Sequence, residues 1–144
     1  MAMREFILRA HVWLVATLVP LLVKLLPLRA LLRLLTPPGR FRPYAGVSQE
    51  RMVELVARRL RRPRHMRRRA CLRRGLVLFQ FLRLAGVPAL LHISVFSPGA
   101  EADRMKAHCW VSVEGRCLSD PPEGTVAISL VHGGRKGMSV SPYT

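Results

Sequence analysis

The chain has 144 residues, half of them hydrophobic, which predicts one domain with a core of its own. It carries 24 Lys and Arg against 8 Asp and Glu, and the resulting formal net charge of +16 favours an anionic partner: nucleic acid, an acidic peptide or a lipid surface. Its 3 cysteines, an odd number without a convincing secretory signal, argue against a disulfide framework and favour reduced thiols in the cytoplasm.

Residues 1–36 are apolar with scattered cations and are expected to form two or three short helices. The apolar run at residues 10–23 resembles a secretory signal, but Lys24 interrupts it, no A-x-A cleavage site follows, and Pro20 is expected to break it. A signal or a bilayer span is therefore the less favoured interpretation. So apolar a segment needs cover from its own domain or from a partner protein, with peripheral membrane contact as a third interpretation.

A stretch rich in proline and glycine divides the chain. Residues 36–39, Thr-Pro-Pro-Gly, are expected to stop a helix, and a linker follows them. We therefore assign residues 1–47 to an apolar, cationic helical segment with its linker, and residues 48–144 to the core. Ser48 is a suitable N-cap for a helix that ends before Pro63.

The core changes its hydrophobic period from helical to extended along the chain. Residues 71–84 carry an apolar residue every three or four positions, which predicts a helix closed by Gly86 and Pro88. Strands are then predicted at residues 91–95, 108–113, 116–120 and 125–131, followed by a flexible tail at 133–137. Helices followed by an antiparallel sheet predict an α+β fold.

Cys71 stands at the predicted start of the helix at residues 71–84. Unpaired backbone N–H groups and the helix dipole favour a thiolate there. Positive charge nearby acts in the same direction and comes from Arg67, Arg68, Arg69, Arg73 and Arg74. The alternative is an ordinary buried cysteine, which is what a lone cysteine usually is. Cys71 is thus a candidate nucleophile.

His108 and Asp120 are candidates for the general base and for the acid that orients it. If the loop between the second and third predicted strands has three residues, with Gly115 in the left-handed position, Ser112 lies opposite Arg116. Counting outward from that pair places His108 opposite Asp120 on one face of the sheet. A two-residue turn would instead put them on opposite faces. With the nucleophile they complete a triad, on condition that the turn is the longer one.

The cysteines also suggest a zinc site with His108, but His108 and Cys109 are adjacent in a strand and point to opposite faces, and no C-x-x-C knuckle is present. No metal is therefore expected. In the assumed register Cys109 and Cys117 point away from His108 and are interpreted as small core residues. Trp110, on the face of His108, either shields the site or packs in the core. The remaining histidines lack such partners and are interpreted as surface or core residues: His11, His65, His92 and His132.

The order of these motifs resembles a known family. The motifs are Cys71-Leu72-Arg73-Arg74 at the start of a helix, Gly86-Val87-Pro88-Ala89, Ala107-His108-Cys109-Trp110-Val111, Gly115-Arg116 and Asp120. Residues 48–121 resemble the short, stand-alone transglutaminase-like leader peptidases of lasso-peptide biosynthesis, which show C-L-x-R at the nucleophile and A-H-A-W-V at the histidine. Cys109 in place of alanine and Gly75 early in the helix depart from that pattern, and neither lies at the three chemical positions.

The resemblance implies a papain- or transglutaminase-like core, with one helix packed on a small antiparallel sheet, in a bacterial cytoplasmic cysteine protease. Such a protease removes the leader of a ribosomally made precursor that a small recognition protein presents, before an ATP-dependent lasso cyclase closes the ring. By position, Cys71 would be the nucleophile, His108 the general base and Asp120 the orienting carboxylate. No metal, nucleotide or other cofactor is implied for this step.

Other functions are also compatible with the sequence. The same triad would serve an amidase or a cross-linking acyl transferase, because it does not choose between water and an amine as acceptor. A nucleic-acid binder suits the charge, but no aromatic residue interleaves with the ten arginines between Arg58 and Arg74, so base stacking would be poor and no nucleic acid is expected as partner. A membrane-surface protein anchored through residues 1–36 is a further alternative, and it can coexist with catalysis.

Overall fold

The structure, a computed structural model, describes residues 2–61, 70–96, 107–118, 126–134 and 137–141. Its helices are α1 (Ala2–Leu25), α2 (Leu28–Leu35), α3 (Gln49–Leu60) and α4 (Ala70–Leu84). Its strands are β1 (Ala89–Phe96), β2 (Ala107–Val113), β3 (Arg116–Cys117), β4 (Val126–Gly134) and β5 (Gly137–Ser141). The strands form one antiparallel sheet in the order β3-β2-β1-β4-β5. Helices followed by an antiparallel sheet confirm the predicted α+β fold.

α1 is a single helix of 24 residues that contains Pro20, so the expectation that Pro20 breaks this segment is wrong. A proline inside a helix removes one backbone hydrogen bond and costs about 3 kcal/mol. The turn before Pro20 buries Val15, Ala16 and Val19 in the core, and this burial offsets the cost. By length and composition α1 could cross a membrane, a test that a core helix or an N-terminal signal sequence also passes.

The start of α3 and the end of α4 lie where the sequence predicts. The Ser48 Oγ accepts a hydrogen bond from the Arg51 backbone N–H at 3.2 Å and so caps α3. α4 ends at Leu84, and Gly86 follows at φ +85°, a left-handed conformation that glycine adopts without strain. Both boundaries depend on local chemistry that the sequence displays.

One hydrophobic core joins the four described helices to one face of the sheet. Phe79 of α4, Met52 of α3 and Leu91 of β1 are among its fully buried side chains. Residues before and after position 47 contribute to this core. The division of the chain into a helical segment with its linker, residues 1–47, and a core, residues 48–144, stays a prediction.

The glycine-rich segment after His132 is part of the sheet, so the prediction of a flexible tail there is wrong. β4 continues to Gly134, and Gly134 pairs with Gly137 at the start of β5. This pairing gives partners to the backbone groups along the outer side of β4. Gly133 has φ +109°, and a Cβ there would lie 2.9 Å from the Ala89 carbonyl oxygen. Glycine has a low strand propensity, which made this segment look like a loop. Residues 135–136 lie outside the described residues.

Three histidines predict a dependence of stability on pH. Burial lowers the pKa of His11, His92 and His132 below the ordinary value of 6.5, and Arg83 lowers that of His132 further. The unfolded chain therefore binds more protons than the folded chain once the pH falls below about 6.5, and the free energy of unfolding decreases there. Above about pH 6.5 the imidazoles are neutral in both states and this contribution is constant.

Urea denaturation between about pH 5 and pH 8 measures this effect. We expect the free energy of unfolding to fall on the acid side, and to fall less steeply in His11→Gln, which keeps a side chain able to bond the Tyr44 hydroxyl. In the folded chain the His11 Nδ1 lies 2.7 Å from that hydroxyl. An identical pH dependence in His11→Gln and the unmodified protein would contradict the assignment.

Candidate active site

Cys71 is the second residue of α4 and is partly exposed. It therefore lies in the first turn of a helix, as predicted, where backbone N–H groups have no partner within the helix. The same groups favour negative charge nearby, which suits a thiolate. The helix start thus gives Cys71 both an accessible sulfur and a set of hydrogen-bond donors beside it.

α4 packs closely on β2 at Gly75, one turn after Cys71. A Cβ at Gly75 would lie 2.7 Å from the Cys109 Sγ and 3.3 Å from the Leu91 Cδ1. Cys109 is buried, which confirms its interpretation as a core residue. Burial raises the pKa of the Cys109 thiol, and a negative charge on Cys71 would raise it further.

α4 runs across the sheet, from its contact with β2 to a contact with β4. Further along the helix, Phe79 packs against Gly133 of β4, where a Cβ would lie 3.0 Å from its ring. From Gly75 to Phe79 the helix thus passes from β2 towards β4, and Cys71 lies one turn before the contact between Gly75 and Cys109, the neighbour of His108 in β2. Within the described residues, β3 pairs with Ser112 and Val113 and does not extend beside His108.

His108 lies on the sheet face opposite Cys109, because neighbouring residues of a strand alternate between faces. Its ring stacks on Trp110, with ring centroids 6.1 Å apart, and Trp110 shares its face as predicted. The Cys71 thiol and the His108 imidazole therefore belong to the same end of β2 but start from opposite sides of the strand. A direct contact between them requires the imidazole to turn around the edge of β2.

His92 joins this face, although the sequence analysis gave it no role. It pairs with Trp110 across β1 and β2, and the two rings stack at 5.0 Å with an angle of 5°. Its Nε2 lies 2.7 Å from the Ser112 Oγ. Ser94, fully buried, lies directly opposite His108. Among the described residues, the Ser94 Oγ and the His92 Nδ1 are buried without a hydrogen-bond partner.

The turn between β2 and β3 has two residues, so the predicted three-residue loop is wrong. Val113 lies opposite Arg116, and both turn residues have positive φ, 49° at Glu114 and 79° at Gly115. This is the geometry of a type I′ turn, whose twist matches that of the strands. The count that placed Asp120 opposite His108 assumed the longer loop and no longer holds. Asp120 lies outside the described residues, and its part in a triad stays a prediction.

The observed register also changes the interpretation of Cys117. It lies opposite Ser112, on the sheet face of His108, and its side chain is exposed. The expectation that Cys117 points away from His108 into the core is therefore wrong. Cys109 and His108 do lie on opposite faces, as alternation predicted. No group of three or more His, Cys, Asp or Glu side chains that could hold a metal is present among the described residues.

His11 and His132 are partly buried, in keeping with their interpretation as surface or core residues. His11 bonds Tyr44 and meets the Phe81 ring edge-on at 5.0 Å. The His132 Nε2 lies 2.8 Å from the Thr36 Oγ1. His65 lies outside the described residues.

The close approach of Gly75 to Cys109 predicts a coupled pair of substitutions. Gly75→Ala is expected to lower the free energy of unfolding by roughly 1–3 kcal/mol, because the new methyl group overlaps the Cys109 sulfur. Cys109→Ala removes that sulfur, so the double variant Gly75→Ala/Cys109→Ala is expected to lose less than Gly75→Ala alone. Urea denaturation of the three variants measures the coupling. Additive losses would show that the sulfur is not what restricts residue 75.

Comparison with known proteins bears on the family of the chain and not on these individual side chains. No curated protein and no solved structure matches the chain significantly. One family model does, described as the transglutaminase-like superfamily, and it covers residues 13–131. That range extends from within α1 into β4 and includes the helix start at Cys71, the β2 end at His108 and Asp120. Because the model covers most of the chain, the protein belongs to the transglutaminase-like superfamily.

Proposed function

We propose that this protein is a cysteine peptidase that removes the leader from a ribosomally made, lasso-type precursor peptide. The observation that supports this most is the position of Cys71 in the first turn of α4, one turn before the contact of Gly75 with Cys109, the neighbour of His108 in β2. A thiol beside unpaired N–H groups and an imidazole at the same end of the sheet are the components of covalent acyl transfer. Membership of the superfamily supports cysteine chemistry of this type.

In the proposed reaction the Cys71 thiolate attacks the carbonyl carbon of the scissile bond and forms a tetrahedral oxyanion. The Cys71 backbone N–H is a candidate donor to that oxyanion. Protonated His108 gives its proton to the leaving amine as the C–N bond breaks, which leaves the leader as a thioester on Cys71. His108 then takes a proton from water, which attacks the thioester and releases the leader carboxylate and the thiolate. Asp120 would hold the imidazole in position.

Two features support a lasso-type precursor as the substrate: the order of the motifs in residues 48–121 and the charge of the chain. The net charge of +16 suits a substrate or a partner that carries acidic residues. The leader would be presented by a small recognition protein, and the lasso cyclase would act on the released core peptide in the cytoplasm. The mechanism uses side chains and water alone, so it includes no cofactor.

Cleavage of a precursor in ¹⁸O-labelled water tests this function. The purified protein is mixed with a leader-bearing precursor and its recognition protein, and the products are followed by mass spectrometry. We expect a free leader that carries ¹⁸O in its new carboxylate. A leader joined to an added amine, without ¹⁸O, would instead indicate the alternative acyl-transferase function. An intact precursor in the presence of the recognition protein would refute leader removal.

A further inference from the structure

α1 has a second apolar face that the fold leaves uncovered. Its side chains are 41% to 77% exposed and are Met3, Phe6, Ile7, Trp13, Leu14, Leu18, Leu21 and Leu25. We call these residues the outer stripe. They lie on the side of the helix opposite the buried residues Leu8, Val12, Val15, Ala16 and Val19. At 1.5 Å per residue the outer stripe is about 33 Å long, and an exposed apolar patch of that size marks an interaction surface.

The buried side of α1 is fixed to the rest of the domain. The His11 ring bonds Tyr44 at 2.7 Å, Glu5 forms an ion pair with Arg51 at 2.6 Å, and Val19 is fully buried. α1 cannot insert across a bilayer without breaking these contacts. A partner of the outer stripe therefore meets the helix along its side.

Cations lie along one border of the outer stripe. Arg9, Arg58 and Arg59 surround Trp13. The Arg59 guanidinium lies over the Trp13 ring, 5.5 Å from its centroid. Glu5 is the one acidic residue in the sequence of α1, and it is paired with Arg9 at 2.6 Å as well as with Arg51. The outer stripe is thus apolar with a cationic border, and Trp13 lies at that border.

We propose that the outer stripe docks this protein on an anionic lipid bilayer, with α1 lying in the plane of the headgroups. Aliphatic side chains bordered by arginines and an aromatic residue are typical of helices that lie at a membrane interface. A second copy of the chain is a poor occupant, because two chains of net charge +16 would bring cationic borders together. A protein partner would need a groove fitted to a convex helix, whereas lipid adapts to that shape.

Vesicle sedimentation with the full chain tests the proposal. We expect binding to vesicles of phosphatidylcholine mixed with phosphatidylglycerol, little binding to phosphatidylcholine alone, and weaker binding at high salt. Leu14 and Leu21 are 50% and 52% exposed, so the variant Leu14→Gln/Leu21→Gln should keep its fold. Its affinity for the mixed vesicles is expected to fall at least about tenfold. Circular dichroism checks that it is folded.

Phe41→Gln is the matched control, because Phe41 is 57% exposed but lies outside α1. It should bind the mixed vesicles within about twofold of the unmodified protein. An equal loss of vesicle affinity in Phe41→Gln would show that any exposed apolar residue contributes to adsorption, and it would overturn the proposal. An absence of binding to the mixed vesicles would also overturn it. Sedimentation velocity without lipid tests whether a second copy of the chain occupies the outer stripe instead. A dimer that Leu14→Gln/Leu21→Gln dissociates would assign the outer stripe to a second copy.

Discussion

Replacing Cys71 by Ala is expected to reduce leader cleavage at least about a thousandfold. The substitution removes the only atom that can form the thioester in the proposed mechanism, so the loss falls on the chemical step. The thiol is partly exposed in the first turn of α4, and its removal should leave the fold intact. The measurement is the rate of leader release, followed by mass spectrometry, together with a thermal unfolding curve of the variant.

Cys117→Ala is the matched control for this experiment. Cys117 is also a cysteine outside the core, but it lies in β3 and the mechanism gives it no role. Its replacement is expected to change the rate of cleavage by no more than about twofold, as is usual for an exposed residue away from the site. Cleavage that persists in Cys71→Ala, or an equal loss in Cys117→Ala, would remove Cys71 from the role of nucleophile.

The features that the sequence predicted correctly depend on short-range chemistry. Ser48 caps α3 because its hydroxyl reaches an N–H three residues away, and Gly86 closes α4 because it adopts positive φ. The opposite orientation of His108 and Cys109 follows from the alternation of any strand. These signals also placed Cys71 at a helix start, so this position, on which the proposal of Cys71 as nucleophile depends, could be predicted without knowledge of the tertiary contacts.

The features that the sequence analysis missed depend on backbone conformation and tertiary burial, which the local sequence pattern does not show. Glu114 adopts φ 49° in the turn after β2, a conformation that is not expected from a glutamate. Because this turn is one residue shorter than predicted, each residue of β3 lies on the sheet face opposite to the predicted one. Pro20 remains inside α1 because Val15, Ala16 and Val19 are buried beside it. The sequence shows the cost of a proline but does not show the burial that offsets it.

The polar cluster beside His108 shows the same limit at the site. His92 and Ser94 are in β1, and their neighbours Trp110 and His108 are in β2, after an intervening segment of residues 97–106. The pairing register between these strands decides which side chains meet, and no turn of known length fixes it. In the structure, the buried Ser94 lies opposite His108, the proposed base, and His92 lies opposite Trp110 beside it. Alternation alone had identified only Trp110.

Replacing His108 by Gln is expected to slow leader cleavage by about a hundredfold to ten-thousandfold, the usual effect of losing a general acid and base. Glutamine keeps much of the size and polarity of the imidazole but cannot exchange a proton near neutral pH. We therefore expect the remaining activity to depend less on pH than that of the unmodified protein. Initial rates across a range of pH, with the unfolding curve of the variant, provide the measurement.

His92→Gln separates proton transfer from the shape of the ring stack. His92 stacks on the opposite strand's Trp110 at 5.0 Å, while His108 stacks on the same ring at 6.1 Å, so both substitutions disturb one cluster. Of the two histidines, only His108 is adjacent in β2 to Cys109, the residue that contacts α4 at Gly75. His92→Gln should therefore cost less than about tenfold in rate and keep the pH dependence, because the proposed proton transfer does not pass through it. Equal losses in the two folded variants would indicate that the stack shapes the site as a whole, and His108 would lose its assignment as the base.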